Sequence, residues 1–277
     1  LIHARSSSMS DVIENKADLF LATKDSRNTG LPSKSIDHVV TDPPYAGSVQ
    51  YAELSDFFYV WLRASYNGNL PVIMESRETP KSAEIVVNKT RGLETEHYRD
   101  GLYHVFRECR RVLKDDGRLV FTFHHSKQDH WLQLYDVIRT SGFSVLNSFP
   151  VASEGRRSGN MVFHTNKNSV GYDVIHVCAK TQDSGLAGVA WDVLQQAIIA
   201  KVLESVASIR SGQDHGQLLN AADIRILIWS ECLSAYSKHS DLVYDSNNEQ
   251  FAPRDALAWC TSWADDFTQN QEIKSPS

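Results

Sequence analysis

At Asp42-Pro43-Pro44-Tyr45 a carboxylate, two prolines and a phenol follow one another without a spacer. The Asp42 carboxylate accepts hydrogen bonds, and an exocyclic amine on a heterocycle is a matching donor. Neither proline carries an N–H, so the turn offers backbone acceptors without competing donors, and each proline holds its predecessor extended. Tyr45 adds a flat ring for stacking on a planar base, and a hydroxyl. Together they describe a grip on an aromatic amine. Its contribution to a reaction would be to aim the amine lone pair at an electrophile, by positioning and electrostatics. A base held in a duplex must leave the stack to reach such a grip.

Positioning falls to the flanking elements. Ser35 to Thr41 (SIDHVVT) reads as a short strand that the two prolines must end. Asp42 then lies at the carboxyl edge of a strand, where open α/β sheets bind their ligands. From Ser48 to Ala64, Leu54, Phe57, Phe58, Trp61 and Leu62 recur at helical spacing, which predicts a helix with one apolar face. On that reading Phe57, Phe58 and Trp61 are core residues. Residues 65–96 show no period. They are expected to form a mobile functional loop or a small insertion, facing a polyanion through Arg77, Lys81, Lys89 and Arg91.

Downstream the pattern alternates. A helix is expected from Tyr98 through Leu113, stopped by Asp115-Asp116-Gly117, then a strand over Arg118–Phe123 with apolar residues at most positions. A second helix spans Gln128–Ser141 and stops at Gly142, and strands at Phe143–Pro150 and Val170–Cys178 form a hairpin. Helices alternating with strands indicate an α/β sheet. His124 and His125 follow a strand at the same sheet edge as Asp42. The linker 153–169 holds Arg156, Arg157, His164 and Lys167, a positive balance suited to a surface loop near a polyanion, with Arg156, Arg157 and Lys167 as candidates for a nucleic-acid backbone. From Leu186 the pattern is helical, over Leu186–Arg210 and Ala221–Tyr236, with a polar tail after Asp265.

Composition narrows the function classes. The 277 residues carry a net charge of −6, with 42% hydrophobic and 22% charged residues, an ordinary globular balance. Seven acidic and two basic residues lie from Asp241 onward, so the remainder is near neutral and can hold a basic face. Cys109, Cys178, Cys232 and Cys260 are tens of residues apart, which excludes a C-x-x-C metal site and fits a reducing, cytoplasmic setting. No apolar run is long enough to span a membrane.

Val39 to Tyr45 (VVTDPPY) resembles the catalytic motif of amino-group DNA methyltransferases that use S-adenosylmethionine, in the Asp version typical of action on N6 of adenine. Three further stretches, YAELSDFFYVWL (Tyr51 to Leu62), RECRRVLKDDGRLVFTFHH (Arg107 to His125) and AADIRILIWSECLSAYSKH (Ala221 to His239), resemble the large bacterial and archaeal adenine-specific methylases with an uncharacterised N-terminal domain. The likeness covers roughly residues 15–260 and the C-terminal part of that family.

The resemblance implies that Asp42, Pro43 and Pro44 hold the target amino group and that Tyr45 stacks on the flipped base. The amine would attack the methyl group directly, with no covalent enzyme intermediate. It implies S-adenosylmethionine as cofactor, with Asp18, Thr41 and Asp42 as the residues toward it, and DNA as partner, in the setting of restriction or other DNA modification. It also implies a Rossmann-like methyltransferase sheet incomplete on its N-terminal side: residues 1–183 as a partial catalytic domain with the insertion 65–96, and 184–277 as a helical C-terminal appendage. One departure is plain. The family's cofactor loop, of the type Asp-Pro-Phe-x-Gly-x-Gly, lies ahead of D-P-P-Y, and here no glycine lies two residues from another. A preceding N-terminal segment or a separate subunit would have to carry it. Two other readings stay open: a catalytically inactive nucleic-acid- or partner-binding fragment, and an N4-cytosine methyltransferase.

Overall fold

In the computed structural model the described residues are 5–6, 8–66, 74–153, 170–181, 188–211, 219–239 and 242–272. The chain divides into two units, one of residues 1–43 with 103–277 and one of residues 44–102.

The first unit is built on a four-stranded mixed sheet. Two two-residue strands, β1 (Arg5–Ser6) and β2 (Leu19–Phe20), pair with each other, flanking helix α1 (Met9–Ile13). The main sheet comprises β3 (Ile36–Thr41), β4 (Leu113–Phe123), β5 (Phe143–Ala152) and β6 (Tyr172–Lys180), in the order β3-β4-β6-β5. β3 runs parallel to β4, while β6 is antiparallel to both of its neighbours. The expected hairpin is therefore present.

Alternation of side chains gives the sheet two unlike faces. Leu119, Phe121, Phe123, Val174, His176 and Cys178 are fully buried on one of them. Here α3 (Thr95–Val112) brings Phe106 against Phe121, ring centroids 5.1 Å apart, and α4 (Gln128–Thr140) brings Trp131 against Phe123, also at 5.1 Å. α4 ends where Gly142 takes φ 81°, the left-handed turn expected of a helix-terminating glycine. On the other face Val120, Thr122, Ile175 and Val177 are half-buried, Phe149 is 51% exposed and Val40, on the outer strand, 76% exposed.

Asp115-Asp116-Gly117 departs from its expected role. The helix ends at Val112, Leu113 already pairs with Ile36, and three extra residues then bulge out of β4 before His38 pairs with Arg118. Gly117 is required by a close backbone approach, since a Cβ there would lie 2.8 Å from the Asp37 carbonyl oxygen.

C-terminal to β6, β7 (Val189–Ala190) pairs with β8 (Val243–Tyr244), two short strands in a region expected to be helical. α5 (Trp191–Ser211) and α6 (Ala221–His239) form where helices are expected, and α7 (Pro253–Glu272), not among the expected helices, continues through the polar tail. α6 is buried nearly all round and packs on β5, β6, α4, α5 and α7. Its Ser237 hydroxyl accepts from the Val145 amide at 2.8 Å. All four cysteines are free and buried, as expected of packing residues. No helix among the described residues is long and apolar enough to cross a membrane.

The second unit holds α2 (Tyr51–Ser65) and the segment after it. α2 forms where expected, but only Ala52 and Tyr59 are buried; Phe57 is 65% exposed, Phe58 64% and Trp61 65%. The core assignment of these three aromatics is thus overturned. The apolar stripe is real, yet the stripe that packs is Ala52, Asp56, Tyr59 and Arg63, bonded to residues 76–84 through polar contacts. Thr79 donates to Asp56 at 2.6 Å, Ala52 N–H to Glu84 at 2.8 Å, and both the Tyr59 hydroxyl and Arg63 to the Ser76 carbonyl.

Candidate active site at the carboxyl edge of the sheet

Asp42 follows the last residue of β3, and the register that pairs Thr41 with Phe121 sets Asp42 beside Thr122. The Thr122 hydroxyl donates to the Asp42 carboxylate. Next along β4, His124 pairs through Nδ1 with Asp173, the residue just before the Phe123–Val174 pair on β6. By strand alternation Asp42, Thr122, His124 and Asp173 share the half-open face. Of the residues read from the sequence, Asp42, Thr41 and His124 thus meet at one sheet edge. Asp18 does not join them in the sheet: it is exposed, just ahead of β2 in the small separate pair of strands.

His125 serves its own loop. Its carbonyl accepts from the Trp131 indole at 2.7 Å and its Nδ1 from the Lys127 amide at 3.0 Å. Burial, with His130 beside it, pushes its pKa down to about 4, so it is neutral at pH 7.

Within the second unit the end of the tetrapeptide, Pro44 and Tyr45, enters a turn. Pro43, the last residue of the first unit, is buried, and Pro44 and Tyr45 are half-buried. The Tyr45 carbonyl accepts from the Ser48 amide at 3.0 Å. Ala46 is fully buried with φ 51°, a left-handed conformation that costs a non-glycine residue about 1–2 kcal/mol. The Ala46 carbonyl accepts from the Val87 amide at 3.2 Å, and the Pro44 carbonyl from the Tyr98 hydroxyl at 2.8 Å. One of the acceptors offered by the prolines is therefore already engaged. Burial pushes the Tyr98 phenol well above its ordinary pKa, so it stays a donor.

Two of the four cations assigned to a polyanion-facing loop are committed elsewhere. Lys81 pairs with Asp56 at 2.7 Å and Arg91 with Glu84 at 2.7 Å, ties that fasten 76–91 into the second unit. Arg77 and Lys89 are exposed. Arg156, Arg157, His164 and Lys167 lie outside the described residues. No cluster of metal-ligating side chains occurs among the described residues.

Sequence reasoning missed Thr122, Tyr98 and Ala46. Only Thr122 carried a signal, as the polar residue between Phe121 and Phe123, in register with the end of the D-P-P-Y strand.

A search of curated proteins returned no match. Among solved structures, the chain is similar to TTHA0409 of Thermus thermophilus, a candidate DNA modification methylase, at 17% identity and TM-score 0.32 over 65% of this chain. Its selenomethionine form matches at 17% identity and TM-score 0.31 over 64% of this chain. This chain spans 63% of the length of the first structure and 61% of the second. The DNA methylase family model, N6_N4_Mtase, matches residues 36–204, more than half the sequence and all of the main sheet, and the chain belongs to that family.

Proposed function

We propose that the chain is the part of a DNA methyltransferase that grips the target base, acting on the N6 amino group of adenine with S-adenosylmethionine as methyl donor. The observation that carries this reading is the Asp42 carboxylate, held by Thr122 at the carboxyl edge of parallel strands β3 and β4. A carboxylate there accepts from an amine N–H, turns the lone pair of the nitrogen toward an electrophile and lowers the cost of the charge that develops on it. Pro43 and Pro44 limit the freedom of the turn, Tyr45 stacks on the base, and the amine proton leaves to Asp42 or to solvent. The cofactor supplies an electrophilic methyl group on a sulfonium.

The residues present do not make a full cradle for that cofactor. Thr41 and Asp42 lie at the strand end, and Asp18 is our third candidate, but no Gly-x-Gly turn exists in the chain. We therefore assign the cofactor loop to a further polypeptide segment, an N-terminal one or a separate subunit. Two features support this: among the described residues β3 is an outermost strand of its sheet, with its far backbone edge open, and Val40 on it is 76% exposed. Residues 1–183 form the partial catalytic portion in this reading and 184–277 the helical C-terminal portion. The setting is DNA modification, including restriction–modification, in the cytoplasm.

The test is transfer of labelled methyl groups to DNA by the chain together with the segment or subunit that carries the cofactor loop, with nucleoside products separated by mass. N6-methyladenine, lost in Asp42→Ala while the fold is retained, is the expected result; N4-methylcytosine moves the acceptor to cytosine, and unchanged methylation in Asp42→Ala overturns the site. The missing glycine loop favours a second reading, a binding portion without catalysis of its own. Calorimetric titration of S-adenosylmethionine into this chain alone bears on both. Micromolar binding argues against the second reading and against placing the cofactor loop on another segment, whereas without binding the methyl-transfer assay with that segment added separates the two.

A further inference from the structure

We infer that Thr122 is a positioning residue for the amine grip, acting through Asp42; this rests on the function proposed above. Three observations converge on it. The Thr122 hydroxyl donates to Oδ1 of Asp42, across the seam between β3 and β4. An ionised carboxylate only accepts, so the direction of that bond is fixed, and its remaining lone pairs are oriented by it. Thr122 itself has little freedom. It lies inside β4 opposite Ile175 of β6, and its branched Cβ restricts χ1.

The strand end that carries Thr122 is also anchored. His124 and Asp173 pair one step further along the same face, and Phe123 between them is fully buried against Trp131. The carboxylate by contrast is exposed, just past the end of a strand that is outermost in its sheet among the described residues, and a side chain there has rotamer freedom to lose. Without the hydroxyl, more of the ordering of Asp42 would fall to the substrate, and each binding event would bear that entropy. With it, the acceptor is preset before the base arrives, the condition under which a hydrogen bond discriminates between bases that carry the amine and bases that lack it.

The experiment measures that discrimination without turnover. Single-stranded oligodeoxyadenylate is compared with the same strand made of purine nucleotides, which lack the 6-amino group, by fluorescence anisotropy on the full chain. The wild type should prefer the adenine strand about tenfold, as expected for one hydrogen bond to a charged acceptor. Thr122→Val, nearly the same shape, should bring the ratio close to one with unchanged circular dichroism, and Thr122→Ser should restore most of it. A Thr122→Val protein that keeps the wild-type ratio overturns the inference while leaving the grip at Asp42 standing. A wild type with no preference for the amino-bearing strand overturns the grip itself, and the role of Thr122 with it.

Discussion

Asp223 accepts from the Gly171 amide at 2.8 Å, which pins the start of α6 to the start of β6. The same carboxylate accepts from the Asn220 amide at 3.1 Å, while the Asn220 side chain accepts from the Asp223 amide at 2.9 Å. This reciprocal cap closes the helix end, and the third bond converts a cap into a tertiary anchor. Asp223 is fully buried. Asp223→Ala leaves two amides without this acceptor and should cost about 2–4 kcal/mol, roughly 1–3 for the buried Gly171 amide and about 1 for the half-buried Asn220 amide. Urea unfolding reads it directly, and a loss below about 1 kcal/mol would show that α6 is held by its apolar contacts alone.

His176 gives the fold an acid-sensitive core. The ring is completely buried, 5.1 Å from Phe121 and 6.1 Å from Trp131, with Nδ1 on the Ser148 hydroxyl and Nε2 lacking a hydrogen-bond partner among the described residues. Burial pushes its pKa from 6.5 down to about 3. Between those values the unfolded chain takes up a proton that the native state refuses, so stability falls as pH drops below about 6.5. His176→Phe should lose less stability between pH 7 and pH 5 than the wild type. Equal losses in denaturation midpoint would contradict this.

Glu108 acts lower on the scale. The Arg111 guanidinium beside it, helped by the Thr29 hydroxyl and amide, holds its carboxyl down at about 2 against an ordinary 4.5. A depressed carboxyl stabilises the fold above its unfolded value and ceases to do so as pH falls through its folded one. The window is therefore about 4.5 to 2. Glu108→Gln should be less stable than wild type at pH 6, and the gap should close toward pH 2.5. A gap independent of pH would show that shape, and not charge, is what Glu108 contributes.

On α2, two aromatics from the same turn of helix should behave as opposites. Tyr59 is 8% exposed and Trp61 65% exposed. Tyr59→Ala empties a packed site and breaks the bond to the Ser76 carbonyl, and should cost roughly 3–5 kcal/mol. Trp61→Ala in this chain should change stability by no more than about 0.5 kcal/mol. Thermal melts of the two variants decide it; a large loss on Trp61→Ala would mean that its ring is covered.

Much of this was legible in advance because it is local. The prolines that end β3, Gly142 after α4 and the apolar run Leu119–Phe123 are decided by sequence within a few residues, so their elements and the edge position of Asp42 follow directly. What escaped is decided at a distance. Periodicity shows that α2 has apolar residues on much of its surface, but not whether anything lies against them, and Phe57, Phe58 and Trp61 were misjudged for that reason. Asp115-Asp116-Gly117 has the composition of a helix stop and the geometry of a bulge, since Gly117 answers to the Asp37 backbone and not to its own φ. α6 has apolar residues on every side, a pattern that announces burial without naming the neighbours. The hydroxyl at Thr122 matters only because register brings it beside a residue 80 positions away.

The unequal cover of the two sheet faces also sets how the molecule breathes. Amides of β4 and β6, paired on both sides, should be the last to exchange with deuterated solvent, whereas those of β3 that point away from β4, where no strand pairs among the described residues, should exchange sooner. Asp42 hangs from an outermost strand of the sheet, and part of its steadiness is borrowed, through a hydroxyl, from an inner one.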